Sequence, residues 1–375
     1  MPDGGDRAAS PIRPVSVRAG LAILAAVTAL SISACGGAER AAAPPSAHTS
    51  AVPQTRIMIV GDSQTEESAG DYTWRYRLYQ HLSLTAPGRV DFVGTRNAVW
   101  DNVKDVDGSR DYVNPWFDTD EQAVWGLTIA TATPHIAAAL RDHPTDIMLI
   151  MLGRNDVLHA SSVATAPAEA AALMKQFIDT ARTVNPNLTI VLGHVLWTGL
   201  DVDRMSAFNT ILDQSAGAWS TPTSKVVIAR SDEGWDPLWH TWDGAHPNPD
   251  GEYVITRGFA NALAEVGVGG RYGPVLGGVS WPGKGRQPAV APAGAGQVTL
   301  TWPATPGATQ YFVEQRVVSA GEPGFTRLPG AITGYTWTSG KLAAGATIAF
   351  RVVPVKGNMV GQGGPETLFA VSAAR

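Results

Sequence analysis

The sequence predicts an α/β fold, a three-layer sandwich built on a parallel five-stranded sheet, followed by a smaller all-β sandwich. Three observations predict it. Short apolar runs, several closed by glycine, recur at residues 56–60, 90–93, 146–152, 188–192 and 226–229 and read as buried strands. Segments of helical periodicity separate them, which is the alternation that lays a parallel sheet between helices with right-handed crossovers. Beyond residue 295 the pattern changes to short alternating runs with turn residues between them.

The first strand, RIMIV at 56–60, ends at Gly61 and sets Asp62 and Ser63 at the carboxyl edge of the sheet, where open α/β folds bind ligands. A helix follows over 73–85, with Trp74, Leu78, Tyr79 and Leu82 at helical spacing, then the strand at 90–93 and an irregular stretch from 95 to about 120. Further helices are expected at 131–142, 167–183, 203–219 and 249–265. Asn248 before Pro249 is suited to cap the last of these.

Three motifs lie at the ends of these elements in chain order: Gly61-Asp62-Ser63, Gly153-Arg154-Asn155-Asp156 and Asp243-Gly244-Ala245-His246. Ser63 offers a hydroxyl nucleophile, Asn155 an amide donor for a developing alkoxide, and Asp243 a carboxylate three residues from the His246 base. Each motif also has a plain structural reading. Asp62 or Ser63 can cap a helix, Asn155 can bond its own turn, and Asp243 to His246 can be a solvated turn. Asp156 is read as structural.

These blocks resemble the SGNH (GDSL-type) hydrolase family, whose signature positions correspond to Ser63, a glycine, Asn155 and His246. The likeness runs over residues 56–266. It implies a flavodoxin-like fold and a serine esterase mechanism that needs no cofactor, and Gly126-Leu127-Thr128-Ile129 resembles the second block. Gly126 would then join the Ser63 N–H and the Asn155 amide in the oxyanion hole. Glu67 stands where the family usually carries glycine and Gln64 is an uncommon choice, which implies a differently shaped loop around the nucleophile. No Gly-x-Ser-x-Gly elbow occurs: residues 278–282 come close but lack the final glycine, so an α/β-hydrolase proper is disfavoured.

With 375 residues, a net charge of −5 and a pI near 5.9, the chain has room for two domains and no basic excess for nucleic acid. Arg7, Arg13 and Arg18 precede a small-residue apolar stretch at 19–34 that suits a signal peptide better than a bilayer span. Cys35, the only cysteine, closes Ile32-Ser33-Ala34-Cys35, which resembles a bacterial lipobox; ordinary secretion with cleavage near Ala34, or a buried inert cysteine, are the alternatives. The expected layout is a signal peptide at 1–34, a tether at 35–53 and the hydrolase domain at 54–266. A Gly/Pro-rich linker at 267–294 leads to the sandwich at 295–375. Lipid on Cys35 would hold the protein to the outer face of the membrane.

The tail resembles a fibronectin type III domain, with Trp302 and Tyr311 in its second and third strands. It departs where the corner tyrosine falls, at Ile348. Such modules are spacers or binding surfaces, and nothing in the tail suggests chemistry. Residues 105–111 alternate oxygen-bearing side chains as calcium loops do, but the glycine comes early and no Glu closes the loop. His135, His143, His159, His194 and His240 show no zinc spacing, so no metal is expected.

Among 12 Trp, Trp235, Trp239 and Trp242 crowd before the Asp243 loop, while Trp100 and Trp116 lie in the irregular stretch. Flat aromatic faces suit sugar rings, though core or rim positions explain most tryptophans. Residues 91–95 and the Gly126 block are also similar to polysaccharide O-acetyl esterases. The expected substrate is an acylated, most readily acetylated, carbohydrate or a small ester. A lipase, phospholipase or thioesterase on envelope lipids, and a non-catalytic glycan-binding lipoprotein, are the alternatives.

Overall fold

The computed structural model describes residues 53–274, 277–294 and 296–372. The expected signal peptide, Cys35 and all of the tether but Pro53 lie outside the described residues. The hydrolase domain runs β1 (Thr55–Gly61), α1 (Ser63–Glu66), α2 (Trp74–Thr85), β2 (Val90–Val93), β3 (Val99–Asp101), β4 (Val106–Ser109) and β5 (Gln122–Ala123). It continues through α3 (Ile129–Asp142), β6 (Ile147–Met151), α4 (Arg154–His159), α5 (Ala166–Arg182), β7 (Thr189–Gly193), α6 (Val202–Trp219), β8 (Val226–Ala229), α7 (Pro237–His240) and α8 (Pro249–Glu265).

The five expected strands form one parallel sheet in the order β2-β1-β6-β7-β8, and the two-residue β5 pairs with the end of β1. Alternation along the strands assigns the two faces. Met58, Val60, Met148, Ile150, Ile190 and Leu192 pack toward α3, α5 and α6. Ile57, Ile59, Ile147, Leu149 and Val191 meet α2 and α8, where Trp74 and Phe259 stack with centroids 4.7 Å apart. Since the chain leaves β1 first to one side and later to the other, the strand order reverses between β1 and β6. Their carboxyl ends therefore open a crevice at the switch point, and both Ser63 and Asn155 follow directly.

The stretch at 95–120, expected to be irregular, contains the β3–β4 hairpin. Its strands are too short for an alternating pattern, β4 being exposed as well, and Asp107 in it pairs with Arg96 at 2.7 Å.

The C-terminal domain comprises β9 (Ala289–Gly294), β10 (Gln297–Thr301), β11 (Gln310–Val317), β12 (Thr326–Arg327), β13 (Thr336–Thr338), β14 (Thr347–Lys356), β15 (Met359–Val360) and β16 (Thr367–Ala370). Two antiparallel sheets, β13-β10-β9 and β12-β11-β14 with β15 and β16 on β14, enclose a core of Trp302, Tyr311, Phe350 and Ile348. The phenol of Tyr311 accepts from Thr305 N–H at 2.8 Å.

The Gly/Pro-rich segment is more than a linker. Gly278 and Val279 N–H groups donate to Asp250 at 2.9 Å, and Trp281, buried in the sandwich core, donates from its indole to Gly70 O at 2.9 Å. The first strand of the sandwich, β9, also falls inside it. Its side chains are mostly exposed, which erased the period-2 signal.

Candidate active site

Asp62 and Ser63 realise both readings of their motif. Asp62 caps α1 by accepting from Gln64 N–H at 3.0 Å, and Ser63 is the first residue of that one-turn helix, partly open to solvent. Burial pushes Asp62 up to about 6, against the pull of the Gln64 N–H, Arg154 and His246. The next side chain, Gln64, reaches across to donate to Ala245 O at 2.8 Å, so it ties the Ser63 helix to the loop bearing His246.

Glu67 closes α1 with φ 58°, the left-handed region that glycine enters most readily. The position thus has a backbone that favours glycine although it carries a glutamate. Its carboxylate turns inward and accepts from Trp74 N–H at 2.6 Å. Burial, reinforced by Glu252 and Asp71, drives Glu67 well above the usual carboxylate range.

The Asp243 loop is a compact dyad. His246 Nδ1 lies 2.7 Å from Asp243 Oδ2, while Asp243 Oδ1 accepts the N–H groups of Ala245 at 2.9 Å and His246 at 2.8 Å. Burial alone would raise Asp243, but the bond to His246, its charge and the two N–H groups together hold it below its ordinary value. With Nδ1–H given to the carboxylate, Nε2 keeps its lone pair. Trp242 N–H donates to His246 O at 3.0 Å and closes the base of the loop. The imidazole also stacks on two indoles, Trp125 at 4.2 Å and Trp242 at 5.8 Å between centroids, and Trp100 stacks on Trp125 at 5.4 Å.

Gly153 turns the chain from β6 into α4 with φ 121°; a side chain there would press on the Phe208 ring, which comes within 2.7 Å of an added Cβ. This turn presents Asn155, whose amide donates to Leu127 O at 2.9 Å and reaches Asp62 Oδ2 at 3.5 Å. Asp156 accepts from Ile129 and Ala130 N–H at the start of α3, the structural part expected of it. Gly126, with φ 76°, sits exposed between Trp125 and Leu127, so the block following β5 is held from both sides by residues near Ser63: Trp125 N–H donates to Glu66 at 2.5 Å. No hydrogen bond joins Ser63 Oγ to His246 or Asn155 among the described residues.

The GDSL-like lipase/acylhydrolase family profile matches residues 57–258, which carry all three motifs. The chain belongs to this family. It is accordingly a hydrolase of ester bonds. A family 3 carbohydrate esterase from Talaromyces cellulolyticus shares 25% identity, with 57% of this chain and 98% of that chain covered and a TM-score of 0.48. A Clostridium thermocellum family 3 carbohydrate esterase shares 25% identity, with 57% and 96% covered and a TM-score of 0.46. A C. thermocellum Fn3-like protein covers 25% of this chain and 94% of its own at 22% identity and a TM-score of 0.21. No curated protein matches.

Sequence reasoning about this GDSL-like hydrolase missed Gln64, Glu66 and Trp125 as parts of the site. Trp125 adjoins Gly126 in the motif block and Gln64 stands out as an uncommon choice beside the nucleophile, signals that were available; Glu66 carries none. Of the tryptophans singled out, Trp242 and Trp100 belong to the stack. Trp235 is buried with its indole on Trp197 O, and Trp116 and Trp239 are exposed.

A buried acid cluster backs the Trp125 segment. Burial pushes Glu66 up to about 8 and Glu121 up to about 7, with Arg96 between them as partial compensation. Both folded values lie above the ordinary 4.5, so their favourable contribution is complete below that pH and is lost as pH rises through about 7 to 8. Thermal melts are expected to show stability falling from pH 5 to 9, and Glu121→Gln is expected to flatten the fall. A stability that climbs across this window contradicts the assignment.

Proposed function

We propose that the protein is a serine esterase that removes acetyl groups, chiefly from carbohydrate, through an acyl-enzyme on Ser63. The observation that carries the reading is the Asp243–His246 dyad, oriented with Nε2 free and tied by Gln64 to the helix that starts at Ser63. His246 Nε2 takes the Ser63 proton as Oγ bonds to the ester carbonyl carbon. The carbon–alkoxy bond then breaks, and the departing alcohol takes the proton back from His246. Water repeats the sequence on the acyl-enzyme and releases the acid. The Ser63 and Gly126 N–H groups and the Asn155 amide stabilise the oxyanion.

Asn155→Ala is expected to lower kcat by about 10²- to 10³-fold with a small change in KM, because the amide matters most once negative charge develops. Steady-state kinetics on an activated acetyl ester checks it. A change confined to KM would reassign Asn155 to ground-state binding.

For substrate, the aromatic stack from Trp100 through Trp125 to His246 offers flat apolar faces beside the reacting groups. One observation favours the lipase alternative: Leu200 and Leu238 are almost fully exposed near Gly244, beside a cleft of about 390 Å³ lined by Trp197 and Val202. A panel of acetyl to decanoyl esters, run together with acetylated glycans, separates the two. Preference for acetyl and release of acetate from glycan support the proposal, and preference for long chains transfers the assignment to lipids.

A further inference from the structure

A turn of the C-terminal sandwich packs against the loop that carries Asp243 and His246. Lys356 ends β14, and Gly357 and Asn358 join it to β15. The Lys356 side chain is fully buried, with Nζ 2.6 Å from Asp71 Oδ1, 2.9 Å from Ser68 Oγ and 2.9 Å from Ala69 O. It also lies 5.0 Å from the centroid of the Trp242 ring. A buried ammonium is tolerated only when paired and hydrogen-bonded. Here every one of those partners comes from the hydrolase domain, from the segment just after the Ser63 helix and from the residue before Asp243.

The backbone of the turn adds a second set of contacts. Asn358 N–H donates to Trp242 O at 2.8 Å and its side-chain amide to Thr241 O at 3.1 Å. Gly357, with φ 55°, approaches so closely that an added Cβ would lie 1.9 Å from Trp242 O. Trp242 is therefore bonded through its N–H to His246 and through its C=O to the sandwich, while its ring contacts both His246 and Lys356. Between Trp242 and His246 stand only Asp243, Gly244 and Ala245. The stem that aims the imidazole is thus clamped by the other domain.

We propose that the Lys356–Asn358 turn is a positioning device for His246, so that the sandwich completes the hydrolase site instead of serving as a spacer. This rests on reading His246 as the base for Ser63. Displacing a catalytic group by about 1 Å can cost on the order of 10²-fold in rate; the turn holds the stem of the loop at Thr241 and Trp242, while the Gln64 side chain holds it at Ala245.

The test compares Lys356→Met, Asn358→Ala and Ser63→Ala in the full chain. It follows kcat and KM on an activated acetyl ester, the rate of Ser63 labelling by an organophosphonate, and amide hydrogen exchange. For Lys356→Met, kcat is expected to fall roughly tenfold or more with KM changed less than about threefold. Labelling should slow in parallel, and exchange should rise selectively in residues 241–248. A kcat within about twofold of the parent overturns the proposal, as does a loss accompanied by a uniform rise in exchange through β1 and β6, which marks general destabilisation. If Lys356→Met does not fold, the exposed Asn358→Ala decides: a selective rise in exchange at 241–248 with a kcat loss of about threefold supports the clamp, and absence of either overturns it. Activity retained by Ser63→Ala would instead refute the site reading, independently of the turn.

Discussion

Ser63→Ala is expected to abolish ester hydrolysis, with kcat falling by about 10⁶-fold while the melting temperature stays within a few degrees of the parent. The size of the first effect follows from what the hydroxyl does in the proposed mechanism: it forms the covalent intermediate, which alanine cannot form. The small second effect follows from the local structure. Asp62, not Ser63, caps α1, and the Ser63 side chain is partly open to solvent, so alanine removes no buried hydrogen bond. Activity on an activated acetyl ester, active-site titration with an organophosphonate and a thermal melt together check the prediction. Turnover retained at more than about a hundredth of the parent rate would remove Ser63 from the mechanism.

How much of this was legible in the chain depends on whether a signal is local. The runs at 56–60 and 146–152 became β1 and β6 because strands buried on both faces need a continuous apolar stretch. The cap at Asn248 was readable from Pro249, and its side chain does accept from the N–H groups of Asp250 and Gly251. The dyad was readable because three residues separate its members. The contact of Gln64 was not: the residue stands out as uncommon beside the nucleophile, but its partner Ala245 lies 181 positions away. Lys356 was hidden for the same reason. A lone lysine at the end of a strand reads as solvated, and only folding brings it to Ser68, 288 positions away. Glu67 shows the opposite case. The departure from the family's glycine was visible in the chain but its use was not: the residue has a positive φ of 58°, and the buried groups around it, Trp74, Asp71 and Glu252, set what the carboxylate does.

Asp243→Asn is expected to lower kcat by about 10⁴-fold with little change in KM or in the fold, and the reason lies in the two oxygens of the carboxylate. Oδ1 holds the loop through the N–H groups of Ala245 and His246, a task an amide oxygen can keep. The amide nitrogen then replaces Oδ2 opposite His246 Nδ1 and brings a donor where an acceptor stood. Two donors cannot face each other, so the imidazole is driven to carry its proton on Nε2, the atom that must be empty to accept one from Ser63. Nitrogen-15 NMR of the histidine side chains should therefore show the proton moved from Nδ1 to Nε2 in the variant, alongside the loss of kcat. Asp243→Ala would mix this effect with loss of the loop's anchor, which makes asparagine the sharper probe. A variant that keeps more than about a tenth of the parent kcat would mean that the stacking of Trp125 and Trp242 on the ring, and not the carboxylate, fixes the working state of His246.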